Sequence, residues 1–126
     1  MNQSTQALTE RPGLSPESFL PLKHSTYQVL LALGSCEKHG YGIMQSLSAM
    51  TQGREKILPG TLYASLARMV SEGLVEELDA PENASSGGPK RRYYRRTDLG
   101  RLVAAAESER LKALLVIAEA QDLLPG

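Results

Sequence analysis

Apolar positions along the chain fall into four stretches of helical period and two of strand period. From about His24 to Gly34, Tyr27, Leu30, Leu31 and Gly34 keep helical spacing, and Val29 and Leu33 widen the buried face, which predicts a first helix. Ser35 to Lys38 connects it to a second, marked by Ile43, Met44, Leu47 and Met50 and ended by Gly53. Thr51 to Leu58 is a link of eight residues, longer than the turn of about three or four residues in a simple helix-turn-helix. The stretch Leu58 to Leu74 predicts a third helix, with Pro59 suited to its first position and Gly73 to the left-handed residue past its end. Leu62, Leu66, Met69 and Val70 mark its buried stripe, and Thr61, Ala64, Ser65, Arg68 and Glu72 its outer face. Upstream, Ser15-Pro16-Glu17 predicts a short turn through Phe19 and Leu20, closed by Pro21.

After Gly73 the period drops to two. Leu74 to Leu78 reads as a strand, Ala80 to Pro89 as a loop containing Ser85-Ser86-Gly87-Gly88, and Arg91 to Thr97 as a returning strand. Thr97-Asp98 can cap a last helix reaching about Gln121, with Leu99, Leu102, Val103, Ala106, Arg110, Ala113, Leu114 and Ile117 near one stripe and Leu111, Leu115 and Ala118 beside it. That surface is broader than a small head can cover. It predicts pairing with the same helix of a second chain through Leu99, Leu102, Val103, Leu111, Leu114, Leu115 and Ala118. The fold class is therefore mainly α with a small β-hairpin: a partly disordered N-terminal extension over 1–20, a winged helix-turn-helix over 21–97 and a C-terminal dimerisation helix over 98–122.

Composition adds little until charge is read locally. The 126 residues, 41% hydrophobic, fit one small domain, and 14 basic against 14 acidic residues leave no net charge to argue for nucleic acid. Lys90, Arg91, Arg92, Arg95 and Arg96, however, crowd into seven residues around Tyr93 and Tyr94, where cations at a Gly-rich tip suit phosphates. The competing reading is a charged guard on an edge strand; against it, Glu76, Glu77, Asp79 and Glu82 cluster separately on the first strand and its exit. Outward Thr61, Ser65 and Arg68 are the candidates for reading a major groove of about 12 Å width. Cys36, His39 and His24 lack metal-ligand spacing, so no metal and no cofactor is expected. No nucleophile, base and orienting acid are set together, and the chain is not expected to be an enzyme. A lone cysteine, no spanning apolar run and no apolar leader core make the cytoplasm the expected location.

His39-Gly40-Tyr41-Gly42-Ile43, Leu58-Pro59-Gly60-Thr61-Leu62-Tyr63, Glu72-Gly73-Leu74-Val75-Glu76 and Arg92-Tyr93-Tyr94-Arg95-Arg96-Thr97 with Leu99-Gly100 resemble, in order and spacing, the PadR-like transcriptional regulators. The resemblance covers about residues 20 to 122. It implies a dimeric repressor of the branch with a single C-terminal helix, with Tyr41, Thr61 and Tyr63 near double-stranded DNA and the wing around Lys90 to Arg92 near the minor groove. Arg96 departs from the pattern, standing where the family usually has an apolar residue. Since alternation puts it on the face of Tyr94, it must snorkel, pair with an acid or lie at a frayed end. A second reading of the same features is a winged-helix interaction module that recruits another protein through its last helix. The sequence names no small-molecule effector: an apolar ligand at the dimer interface, or a protein partner, is expected in preference to a metal or a change at Cys36.

Overall fold

Helix α1 (His24–Leu33), α2 (Gly40–Met50) and α3 (Pro59–Ser71) meet over one apolar centre in the computed structural model, which describes residues 15–79 and 92–125. The expectations for the extension before residue 15, for the hairpin tip and for Lys90 and Arg91 lie outside the described residues. Val29, Leu30 and Leu33 of α1 close on Ile43 and Leu47 of α2 and on Leu62, Leu66 and Met69 of α3. Leu74, Val75 and Tyr94 cover them from the sheet side, and Val103 and Ala104 from α4 (Asp98–Ala120). A 3-10 turn, Pro16–Phe19, precedes α1 and lies against α4. Leu31, Met50 and Val70, expected in buried stripes, are exposed instead. Each lies at the margin of its stripe, where a core covered from one side only no longer reaches.

The strands form a three-stranded antiparallel sheet where a two-stranded hairpin was expected. β2 (Val75–Leu78) pairs with β3 (Tyr93–Arg96), and β3 pairs on its other side with β1 (Lys38–His39), in the order β1-β3-β2. β3 is thus central at Tyr93 and Tyr94, whereas Arg95 and Arg96 are paired on the β2 side alone. Arg96 snorkels: its guanidinium donates to the Leu30 carbonyl at 3.3 Å, while Lys38 Nζ donates to the Leu33 carbonyl at 3.0 Å. Two cations thereby sit on the carbonyl-rich end of α1, where the helix dipole favours positive charge.

Turn chemistry follows the sequence closely. Gly73 has φ +81°, and hydrogen bonds from Gly73 to Val70 O and from Leu74 to Met69 O close α3 in a Schellman motif. Thr97 caps α4, accepting from the Gly100 N–H at 3.0 Å and donating its own hydroxyl proton to the Gly73 carbonyl at 2.6 Å. The link over 51–58 is tied down by buried Ile57 and by Glu55, whose carboxylate accepts from Gln28 Nε2 at 2.8 Å and His24 Nε2 at 2.7 Å. Those two hydrogen bonds, that from His24 first, lower the Glu55 pKa.

The last join is between α4 and the N-terminal side of α1. Glu107, only 3% exposed, takes a two-pronged contact from Arg110 at 2.8 Å on each oxygen and a long hydrogen bond from the Leu22 N–H at 3.5 Å. Beside it Tyr27 Oη and Ser108 Oγ are 2.7 Å apart. The Arg110 hydrogen bonds hold the Glu107 carboxyl below its ordinary pKa, against the opposing effect of burial.

Two predictions follow from these joins. A Cβ at Gly100 would overlap the Leu74 carbonyl oxygen and press on Arg96 Cγ at 3.1 Å, so Gly100→Ala should cost about 2–3 kcal/mol in urea unfolding. An unchanged midpoint would mean that the helix start moves aside freely. Because the native Glu107 pKa is depressed, its contribution is complete above the ordinary glutamate value of about 4.3 and is lost as pH falls through the lower native value. The stability gap between wild type and Glu107→Gln should therefore be constant from neutral pH to about pH 5 and close below about pH 4; a gap that stayed constant to pH 3 would contradict it.

Candidate nucleic-acid interface

The N-termini of α1, α2 and α3 carry no acidic residue in the first turn, whereas α4 begins with Asp98. At α1 and α3 no side chain caps the leading N–H groups either, which leaves them open as an anion-binding surface requires. α3 starts with Leu58 as a cap that offers no side-chain acceptor, followed by Pro59. Gly60, Thr61, Ala64 and Arg68 then form its exposed outer line. Together with Lys23, Ser25 and Thr26 at the start of α1, they border an open groove of about 550 Å³. Gly60 and Ala64 keep the helix backbone approachable. Lys23 and Arg68 bring positive charge to the rim.

A second cluster adjoins the start of α2. His39 caps that helix, its Nδ1 accepting from the Gly42 N–H at 3.0 Å, so the neutral ring carries its proton on Nε2. Tyr41, 56% exposed, lies parallel to the His39 ring with centroids 6.5 Å apart, and Tyr93 meets His39 edge-on at 5.4 Å. Tyr63, 49% exposed, reaches from α3 across Gly40, whose missing side chain leaves room for the phenol: a Cβ there would overlap the hydroxyl and stand 2.7 Å from Cζ. Tyr41 and Tyr63 thus project from neighbouring helix starts.

The expected site residues divide accordingly. Thr61 and Arg68 face outward on the groove; Tyr41 and Tyr63 stand exposed at the start of α2 and on α3. Ser65 lines the same groove but is largely covered. It is buried at 9% exposure, and its hydroxyl donates to Ser25 Oγ at 3.0 Å, tying α3 to α1. One position further round than the outer line, it meets α1, which sequence spacing could not locate. Arg92 is exposed at the start of the wing strand and paired with Glu77 at 2.7 Å. That carboxylate raises the Arg92 pKa through its hydrogen bond. Arg95 is bound by Glu76, with Nε at 2.8 Å, and lies 3.6 Å from Glu37. The acids that looked separate in sequence are brought opposite the arginines by the β2–β3 register, Glu76 facing Arg95. Strand cations are thus largely neutralised locally, and the positive rim comes from Lys23 and Arg68. Lys23 was legible in one respect: a cation at a helix start opposes the dipole and serves no capping purpose.

Along α4, Val103 is fully buried within its own chain, and Leu99 packs partly against the head. Neither forms the open surface expected of an interface residue. Leu102, Leu114 and Leu115 are exposed, Leu111 and Ala118 half-covered, and Val116 and Ile117 exposed as well. His24 and His39 are occupied as described, Cys36 is an exposed free thiol, and among the described residues no group of three donors could hold a metal ion. No helix among them is long and apolar enough to cross a membrane.

The sequence profile of the Transcriptional regulator PadR-like family matches residues 29–106, from α1 into α4. An uncharacterised protein of Lysinibacillus sphaericus is 36% identical over 87 residues, which cover 69% of this chain and 74% of that one. Among solved structures, a transcriptional regulator from Clostridium thermocellum is similar with a TM-score of 0.65 at 22% identity, over 77% of this chain and 88% of that one. A PadR family transcriptional regulator from Eggerthella lenta matches with a TM-score of 0.60 at 25% identity, over 98% and 93%. Bacillus subtilis PadR in complex with operator DNA matches with a TM-score of 0.59 at 19% identity, over 82% and 66%.

The Tyr63–Gly40 contact separates site from stability. Gly40→Ala should displace the Tyr63 ring, which is free to swing outward, and weaken duplex binding about as much as Tyr63→Ala, while costing less than about 1 kcal/mol of stability. Full binding by Gly40→Ala in an electrophoretic shift titration would show that the position of the phenol is immaterial.

Proposed function

The chain belongs to the PadR-like family of transcriptional regulators, not enzymes, and from that premise we propose that it represses transcription by binding duplex DNA as a homodimer. The observation that carries this reading is the groove along α3, where acid-free helix starts, small side chains, Lys23 and Arg68 converge. Thr61 and Arg68 read bases as α3 enters a major groove; Tyr41, Tyr63 and Lys23 hold phosphates beside it. Lys90, Arg91 and Arg92 continue the contact from the wing, with Arg92 exchanging its Glu77 partner for a phosphate. Ser65, on the floor of the groove, holds α3 against α1 through Ser25. The complex of Bacillus subtilis PadR with operator DNA supports the DNA-binding reading by likeness of fold.

The exposed Leu114, Leu115 and Ile117 support pairing of α4 with the same helix of a second copy, starting near Leu102 and centred beyond Leu111. Two recognition helices related by a twofold axis then meet half-sites about 34–36 Å apart or a multiple. The compartment of such a repressor is the one that holds the chromosome, the cytoplasm. No bound group is required for this role. An effector, small molecule or protein, would act by altering the crossing of the paired helices.

Two measurements check the reading. Leu111→Glu with Leu114→Glu should convert a sedimenting dimer to monomers or aggregates; wild type that is monomeric at micromolar concentration would refute the dimer. Arg91→Ala with Arg92→Ala should weaken specific and random duplexes alike and lower the slope of log affinity against log salt by up to about two units, less if Glu77 keeps Arg92. An unchanged slope would take the wing off the DNA.

A further inference from the structure

The contact between α4 and the head ends abruptly. Val103, Ala104 and Glu107 are buried, Arg110 is half-covered, and from Lys112 onward the helix stands largely clear. About nine residues, or about 13 Å of helix, project beyond this point. The last holds on the head are therefore the hydrogen bond from the Leu22 N–H to Glu107, whose carboxylate Arg110 of the same helix clasps, and the Tyr27–Ser108 contact beside it. On the other side of the same join, Leu22 leads within three residues to Ser25, whose hydroxyl binds Ser65 on α3, and to Lys23 on the rim of the groove. A buried carboxylate on α4 is thus linked through one short stretch of backbone to the helix that faces the groove.

We propose that Glu107 is a positioning residue that fixes the angle between α4 and the DNA-facing head, and so sets the distance between the two recognition helices of a dimer. The inference rests on the homodimer reading above. A tilt of about 10° at this joint would move the far end of α4 by about 2 Å relative to its head, and in a twofold dimer both heads move together. Apolar contact at Val103, Ala104 and the 3-10 turn holds the helix against the head but carries no direction of its own. The direction comes in two steps: Arg110, three residues on in the same helix, clasps both carboxylate oxygens and holds Glu107 in one rotamer, and that rotamer presents Oε1 to the Leu22 N–H on the head. Glutamine at this position keeps shape and can accept a hydrogen bond but cannot hold Arg110 on two charged oxygens.

The test uses the full chain with Cys36→Ser and a spin label at Ser71→Cys, an exposed position at the end of α3. Wild-type and Glu107→Gln dimers of equal sedimentation and helicity are compared by the distribution of label-to-label distances. They are also compared on a duplex selected by wild type from a random library, on the same duplex with one base pair inserted at its centre, and on its isolated half-site. Wild type should give a narrow distribution and lose about tenfold in affinity on insertion. Glu107→Gln should give a broader one and lose about threefold or less on insertion, with half-site affinity unchanged, an outcome that mere loss of folded protein would not produce. Equal widths and equal insertion penalties would overturn the proposal. A wild type that sediments as a monomer would refute the dimer reading first and the inference with it. Tyr27→Phe, which removes one hydrogen bond of the same joint and leaves Glu107 in place, is judged by the same two readouts if Glu107→Gln fails to fold.

Discussion

No side chain fits between the start of α4 and the carbonyl of Leu74. Gly100 is buried there, the Thr97 N–H donates to that same carbonyl at 3.1 Å, and the Thr97 hydroxyl donates to Gly73. The end of α3, the start of β2 and the first turn of α4 are thereby drawn into one knot, and the orientation of every other element is referred to it. The Schellman turn at Gly73 delivers the chain to the knot, and β3 arrives at it with Arg96 stretched across toward α1. The helix facing the groove and the helix left open for a partner consequently start from one point near Gly100, and their relative angle is settled by what α4 meets farther along the head.

Polar groups in this small head are placed at joins and apolar groups in the middle. Ser25 with Ser65, Gln28 and His24 with Glu55, Lys38 and Arg96 on the end of α1, and Glu107 with Leu22 each connect elements or hold a helix end. No buried side-chain nitrogen or oxygen among the described residues lacks a partner. Satisfied polar contacts of this kind add modestly to stability, but they penalise alternative arrangements heavily, because each would strand a buried donor or acceptor.

Much of the architecture was legible in the sequence because it is written locally. Pro59, Gly73 and Thr97 mark ends by their own backbone preferences, and the change of period after Gly73 announces strands. What was hidden depends on which distant segment lies opposite. β1, at two residues, is too short to show any period and exists only through Tyr93 and Tyr94. Ser65 and Thr61 are both short hydroxyl residues on one helix, and only the position of α1 decides that one is covered. The arginine run looked like free charge for the same reason: linear sequence separates Glu76 and Glu77 from Arg95 and Arg92, and sheet register reunites them. Val103 was read as interface because its stripe is continuous, whereas the head covers the first half of α4 and stops. The outward positions of Thr61 and Arg68 were legible from helix spacing, whereas Tyr41 and Tyr63 were singled out by the family resemblance and not by any period.

The pairing of Arg92 and Arg95 with carboxylates, in a chain without net charge, bears on how such a protein would find its target. Attraction to arbitrary duplex grows with each uncompensated cation brought to the phosphates, and that attraction is what lets a protein slide. If the chain reads DNA as proposed, strand arginines that stayed paired away from the operator would let it linger little on irrelevant sequence and leave the chromosome largely uncoated even when abundant. Its occupancy of a true site is then governed by how well the groove fits, and a small loss of fit is enough to empty it.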